Sequence, residues 1–443
     1  MSVPADTIAA IATPHGRGGV GMVRISGPAA ATICRTLTGR LPPPRQAQLA
    51  TFRDAGGEAI DHGLCLYFPA PRSFTGEDVV ELHGHGGPVV MDLLLARVLA
   101  LGARQAAPGE FSQRAFLNDK LDLAQAEAVA DLIDAASASA ARAALRSLDG
   151  AFSHTVRALT ERLISLRVQI EAGLDFPDEE LELDADGALT RAADALAREL
   201  EALVARAGEG RLLREGLTVV LAGAPNVGKS SLLNALAERE AAIVTAIAGT
   251  TRDVLREYLA IDGLPLHLID TAGLRDSTDP VEQEGVRRAR AEIAGADHLL
   301  FVTEAGDPPP PPADLLAQAA AVTRVINKID LTGGAPRREA GAGWTDIHLS
   351  ARSGAGLDLL RQHLKTTAGY GGGEGLFSAR RRHVEALPAA AGATARAAGL
   401  LAGGAELAAE ELRQAQRALD EITGEFGSDD LLGRIFSTFC IGK

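Results

Sequence analysis

Hydrophobic positions along this chain follow two rhythms, and the places where one gives way to the other divide it. Through about residue 120, short apolar runs are separated by Gly and Pro. The runs at 8–12, 21–25, 63–68 and 79–83 read as strands, and 28–37 and 88–101 as helices, of a mixed α/β domain. From 121 the apolar residues recur at three and four, through 121–148 and again through 156–174, the spacing that gives a helix one buried stripe. The acidic, Pro-containing stretch 175–180 interrupts, and helical spacing resumes to about 204. At 217–221 the sequence Leu-Thr-Val-Val-Leu is apolar and β-branched, as a buried parallel strand requires. A glycine-rich linker at 369–375 follows, and helical spacing returns over 380–426.

The expected architecture is an α/β multidomain chain: an N-terminal α+β domain over 1–120, a helical domain in two halves, 121–213 and 373–443, and an α/β domain over 214–372 inserted between them. Close packing of the two halves would let motion of the inserted domain reach the rest of the molecule. Five prolines at 308–312 fall inside the inserted domain and read as a loop insertion. Gly16-Arg-Gly-Gly-Val-Gly21 formally matches a dinucleotide-binding turn, but such a turn must open a helix. Met22-Val-Arg-Ile25 reads as a strand instead, so no dinucleotide site is expected there.

The inserted domain carries five motifs in one order: Gly223-Ala-Pro-Asn-Val-Gly-Lys-Ser230, Gly249-Thr-Thr-Arg-Asp253, Asp270-Thr-Ala-Gly273, Asn327-Lys-Ile-Asp330 and Ser350-Ala-Arg352. Together they specify a Ras-like P-loop GTPase domain. The glycine-rich turn lets backbone N–H groups curl around phosphate oxygens, and the helix that follows points its positive end at the same place. Within it Asn226, Val227, Gly228, Lys229, Ser230 and Ser231 are expected at GTP; Lys229 adds a full charge and Ser230 a hydroxyl for Mg²⁺. Thr251 is placed to supply a second hydroxyl to Mg²⁺, at the end of the GTP-contacting run Thr245, Ala246, Ile247, Ala248, Gly249, Thr250. Asp270 can hold a metal-bound water; Thr271 and Ala272 lead to Gly273, whose N–H can meet the γ-phosphate. Asn327, Lys328, Asp330, Ser350, Ala351 and Arg352 belong to the base side. Asp330 offers two acceptor oxygens to the N1–H and exocyclic amine of guanine, a donor pair that adenine lacks. Leu274 stands where Ras-type GTPases carry the glutamine that orients water, and no basic residue is an obvious arginine finger. Glu282 is a candidate for the missing catalytic group; the alternative is a solvated charge on a switch helix.

Composition narrows this further. In 443 residues, 46% hydrophobic, there is material for several cores. A formal net charge of −14 excludes a generic polyanion binder, so nucleic-acid contact needs a local basic patch or a basic partner. Cys34, Cys65 and Cys440 give no disulfide framework and no metal spacing, which fits a reducing compartment. No leader pattern and no apolar run of membrane-spanning length is present, so a cytoplasmic, membrane-free protein is expected.

The Gly-Arg-Gly-Gly-Val-Gly run, Gly76-Glu-Asp, Gly84-His-Gly-Gly-Pro88, the GTPase motifs and the terminal Cys440-Ile-Gly-Lys443 resemble, essentially end to end, the MnmE (TrmE) family of tRNA modification GTPases, one of the TrmE-Era-EngA-like P-loop GTPases. The resemblance implies an N-terminal domain that binds folate and dimerises, a discontinuous helical domain and an inserted GTPase domain. It implies a homodimer that joins the FAD-dependent protein MnmG in a heterotetramer and adds an aminomethyl or carboxymethylaminomethyl group at C5 of the wobble uridine of tRNA. The one-carbon unit comes from 5-formyl-tetrahydrofolate or a related tetrahydrofolate. By the same resemblance Arg24, Glu81, Lys120 and Lys443 contact the folate. A K⁺ ion takes Asn226 with Thr245, Ile247 and Thr250, doing the work of an arginine finger; Glu282 positions water, and Cys440 is a catalytic candidate, a buried inert thiol being the other reading. Ser350-Ala-Arg352 departs from the family's commoner Ser-Ala-Lys, a harmless change if the Ala351 N–H makes the base contact. The competing class is an Era-like ribosome-assembly GTPase, which should carry a KH-type Gly-x-x-Gly loop on a basic module; none is evident.

Overall fold

A computed structural model describes residues 6–175, 184, 186–237, 256–270, 292–373, 375–425 and 429–442. From the N-terminus the chain forms β1 (Ile8–Ile11), β2 (Gly18–Ser26), α1 (Ala30–Thr38), β3 (Gln48–Arg53), β4 (Ala59–Phe68), β5 (Val79–Gly86), α2 (Pro88–Ala100), β6 (Arg104–Gln105) and α3 (Glu110–Leu117). Four helices follow: α4 (Leu123–Ile133), α5 (Ala138–Leu148), α6 (Ala151–Asp175) and α7 (Ala188–Glu215). Next come β7 (Leu217–Ala222), α8 (Lys229–Ala237), β8 (Arg256–Ile261), β9 (Leu264–Asp270), β10 (His298–Glu304), α9 (Ala313–Gln318), β11 (Val322–Asn327) and α10 (Ile329–Thr332). The chain closes with β12 (Arg337–Ala340), β13 (Thr345–His348), α11 (Leu357–Ala368), α12 (Arg381–Leu400), α13 (Ala405–Thr423) and α14 (Asp429–Ser437).

Packing groups these elements into two compact units, one of residues 1–130, 148–183 and 400–443, the other of 131–147 and 184–399. Helices α5, α7 and nearly all of α12 fall in the second unit, with the β7–β13 strands. Within the first unit a six-stranded sheet runs β3-β4-β5-β2-β1-β6. Its ladders are antiparallel except β1 with β6. Alternate residues of the strands (Val23, Ile25, Val80, Leu82) pack against Ile33 and Leu37 of α1 and Leu94 and Val98 of α2, all buried. The β2–β5 register sets Arg24 opposite Glu81. Phe436 and Phe439 pack on Leu123 and Ala126 in the same unit, which brings the C-terminal tail back to α3.

The second unit is built on a seven-stranded sheet in the order β12-β13-β11-β10-β7-β9-β8. The five central strands are parallel, with antiparallel β12 and β8 at the edges. They are apolar on both faces: Val219 and Leu221 belong to one core cluster, Val220 and Ala222 to another. This is the run expected of a parallel strand covered on both sides.

Each run read from the hydrophobic rhythm falls on a strand or a helix, and four departures from that reading stand out. The 121–148 stretch is two helices, broken at 134–137, where the Ser137 hydroxyl accepts from the Ala140 N–H and caps the second helix. Helix α7 continues to Glu215, past the expected end near 204, its later turns burying Ala207, Leu212 and Leu213. The 380–426 stretch breaks after Leu400 around Gly403 and Gly404, whereas Pro388 lies inside α12 without ending it. Strand β3 follows three prolines and had no distinct apolar run to mark it. The prolines at 308–312 lie between β10 and α9 outside regular structure, and β2, not a helix, takes in the 16–21 string from Gly18 onward.

Candidate functional site

The turn between β7 and α8 depends on backbone conformations that side chains resist. Gly223 has φ +146° and Gly228 φ +97°, and between them Asn226 sits at φ +65°. A Cβ on Gly223 would lie 2.2 Å from the Val302 carbonyl oxygen, and one on Gly228 would lie 2.3 Å from Asn327 Nδ2. Lys229 opens α8, and its ammonium donates to the carbonyls of Gly223 (3.0 Å) and Ala224 (3.1 Å), arching over the loop a phosphate would enter. Ser230 and Ser231 are exposed in the first turn of α8.

Asp270 ends β9. Its Oδ1 is buried and has no hydrogen-bond partner among the described residues. Burial pushes its carboxyl above the usual aspartate range, against the opposing pull of the Lys229 charge. An orphaned carboxylate oxygen beside a phosphate loop, with the Ser230 hydroxyl exposed, fits the donor set of a hydrated Mg²⁺. Thr251, the other expected Mg²⁺ ligand, lies outside the described residues. So do Thr245, Ala246, Ile247, Ala248, Gly249, Thr250, Thr271, Ala272, Gly273, Glu282 and Lys443.

Three loops meet on one side chain. Asn327, at the end of β11, is 2% exposed. Its Nδ2 donates to the Val227 carbonyl at 2.9 Å, and its Oδ1 accepts from the Ala351 N–H at 2.9 Å. The asparagine therefore joins the phosphate loop to the Ser350-Ala-Arg352 loop. Lys328, at φ +63°, donates to the Asn226 carbonyl at 2.7 Å and to Glu304 at the end of β10. Glu304 belongs to none of the motifs, and nothing in its local sequence marks it. Ser350 is buried and accepts from the Ser353 N–H at 3.2 Å, Ala351 is buried, and Arg352 and Asp330 are exposed at the rim.

A second set of expected residues gathers in the N-terminal unit. The Arg24 guanidinium pairs with Glu81 at 2.9 Å and lies over the rings of Phe74 (5.5 Å) and Phe111 (5.8 Å). Lys120 donates to the Pro71 carbonyl at 3.1 Å, and its side chain runs beside Gly76. Loop 71–76 thus touches both cations. Cys440 is exposed, and its carbonyl accepts from the N–H of Gly109 at 3.3 Å, two residues before Phe111. Gly442 passes so close to β1 that a Cβ there would lie 2.5 Å from the Ile11 carbonyl oxygen. Under this surface Arg114, 1% exposed, pairs with Asp6, Glu77 and Glu110. Sequence reasoning missed Phe74, Phe111 and Arg114, which belong to no motif and meet only when α3 and the loop before β5 fold onto β1.

A phosphate-binding turn between β7 and α8, with the base-side loops at the carboxyl ends of β11 and β13, defines a Ras-like P-loop guanine-nucleotide-binding protein. Two family models match the chain: the N-terminus of the GTP-binding protein TrmE over residues 7–120, and the MnmE helical domain over residues 123–440. The tRNA modification GTPase MnmE of Pseudomonas syringae pv. tomato is 59% identical over 456 residues, covering 100% of both chains. That of Alkalilimnicola ehrlichii is 59% identical over 440 residues, covering 99% of each. Among solved structures, the G domain of the T. maritima FeoB iron transporter matches 34% of this chain and 98% of its own at 24% identity, with a TM-score of 0.27. The chain belongs to the MnmE family of tRNA modification GTPases, and it is a GTP hydrolase. No described helix is long and apolar enough to cross a membrane.

Proposed function

We propose that this chain is a K⁺-stimulated, dimerisation-activated GTPase of the cytoplasm that modifies the wobble uridine of tRNA together with an FAD-dependent MnmG partner. The observation that carries the proposal is the pairing of Asn226 with an incomplete catalytic set. Asn226 is held in the left-handed conformation at the phosphate loop, with its carbonyl on Lys328, while Leu274 leaves no glutamine to orient water. A cation at Asn226, with Thr245, Ile247 and Thr250 as its other ligands, would neutralise charge that develops on the phosphoryl group. Mg²⁺ at Ser230 and Thr251 would supply the second positive centre. The chain's own contribution is to hold the phosphates at Lys229 and the 223–228 amides, and to present guanine to Asp330. Glu282 acts on the attacking water.

In the N-terminal domain, proposed as 1–120 and as the dimerising part, Arg24, Glu81, Lys120 and Lys443 would take the tetrahydrofolate. The ion pair over two aromatic rings suits a ligand with an anionic tail and a flat polar ring system. Cys440, exposed on the tail beside α3, is the candidate nucleophile there. The helical halves 121–213 and 373–443 would carry the GTPase domain 214–372. The test is the purified chain with and without the flavoprotein, assayed for tRNA uridine modification with GTP and a labelled one-carbon folate. Absence of modification in the complete mixture would overturn the reading.

A further inference from the structure

The tip of the β8–β9 hairpin is gripped by residues that lie far from it in sequence. The turn is Asp262-Gly263, with φ +49° and +90°, the left-handed pair of a tight hairpin. The Ser137 hydroxyl donates to the Gly263 carbonyl at 3.0 Å and accepts from the Ala140 N–H at 3.1 Å. One buried hydroxyl thus caps α5 and closes on the hairpin. Ser139 seals the other side, since a Cβ on Gly263 would lie 2.3 Å from its Oγ. At the far end of α5, Ser147 Oγ donates to the Ser378 carbonyl at 3.1 Å, the Ser378 N–H donates to the Ala143 carbonyl at 3.2 Å, and Arg146 holds the Leu376 carbonyl. Asp131 closes the circuit, accepting from Ser378 Oγ (2.7 Å), Arg380 (2.7 Å) and Arg214 (2.8 Å). Helix α5 therefore spans from the strand pair that ends on Asp270 to the segment by which the chain leaves the GTPase domain.

We propose that α5 is a strut that carries the nucleotide state of the β8–β9 hairpin to the 376–380 segment, with Ser137 as the positioning residue that latches the two. Binding of the γ-phosphate acts at the Asp270 end of β9; a stiff hairpin delivers that displacement to its turn, and the shared hydroxyl delivers it to the first turn of α5. The inference needs only guanine-nucleotide binding and does not rest on folate, K⁺ or the flavoprotein.

The test is hydrogen exchange of the full chain with GDP and with a non-hydrolysable GTP analogue, read at amides 138–148. Coupling of the usual strength makes wild-type exchange differ between the two nucleotides by about 5- to 150-fold. Ser137→Ala and Ser137→Asp should bring that ratio to one, and Ser137→Thr should restore it. Aspartate still caps a helix but has no proton to give the Gly263 carbonyl, so it separates the latch from the cap. A ratio preserved in the aspartate variant, equal acceleration in both nucleotide states on Ser137→Ala, or no ratio in the wild type would each overturn the proposal.

Discussion

Asn327→Ala removes a side chain that joins the phosphate loop to the 350–352 loop, and its cost can be worked from the two bonds lost. The Val227 carbonyl and the Ala351 N–H belong to residues only 8% and 7% exposed, so neither finds water without movement of its loop. A buried polar group left unsatisfied costs about 1–3 kcal/mol, so two cost about 2–6 kcal/mol if the loops hold their places. Partial relaxation of an empty site toward solvent lowers that figure, but nucleotide must then restore the geometry. About 3 kcal/mol charged to binding corresponds to a loss of affinity on the order of 100-fold. GTP and GDP should weaken alike, because the clamp joins the phosphate loop to the 350–352 loop and both nucleotides need the two loops in register. Turnover at saturating GTP should stay within a few fold, since the Asn327 amide is engaged by the Val227 carbonyl and the Ala351 N–H and so acts on loop position. Fluorescent GDP and GTP-analogue titrations, with a melting curve on the same sample, measure this directly. Affinities within twofold of wild type on a folded protein would refute the clamp. Gly228→Ala supplies a cross-check: its Cβ would lie 2.3 Å from Asn327 Nδ2. Its effect should therefore be smaller in the Asn327→Ala background than in wild type.

Further outcomes follow from the same site and its supports. GTP hydrolysis should be much faster in K⁺ than in Na⁺ at equal ionic strength, and equal rates would remove Asn226 as a cation ligand. Glu282→Ala should lower kcat strongly with nucleotide affinity nearly intact, whereas Asp330→Asn should weaken guanine binding; normal hydrolysis by the first variant would reject its assignment. Cys440→Ser should leave melting temperature and GTP hydrolysis unchanged yet impair tRNA modification in the complete mixture; full modification would leave Cys440 without a catalytic role. Buried His298, whose ring bonds the Thr323 hydroxyl, has its pKa pushed down to about 4 by burial. A depressed histidine is neutral when folded and gains a proton on unfolding as pH falls below its ordinary range near 6.5. Stability from this group is thus complete above that range and declines toward pH 4, by about 2 kcal/mol at pH 5. Denaturant unfolding at pH 7 and pH 5 should show that loss in wild type and a smaller one in His298→Gln; equal losses would exclude His298 as the cause.

Much of this protein was legible before its structure. The apolar run at 217–221, the glycines at 223 and 228, and the order of the motifs that follow are local facts. Strand burial and left-handed turns leave their marks in consecutive residues, so β7, the phosphate loop and α8 could be read directly. Helical spacing likewise marked most of α6, α12 and α13 but was blind to the break between α4 and α5, where an apolar stripe continues across a polar cap. What tertiary structure alone decided is which distant groups share a bond. Asn327 could be named from its motif, but its hold on Val227 and Ala351 requires the parallel register of β7, β10, β11 and β13. Glu304, the Phe74–Arg24–Phe111 stack and the Ser137–Gly263 latch leave no mark in neighbouring residues. Periodicity records which side of an element meets an apolar surroundings; it does not record which element lies there, because any surface of similar shape and hydrophobicity satisfies the same stripe.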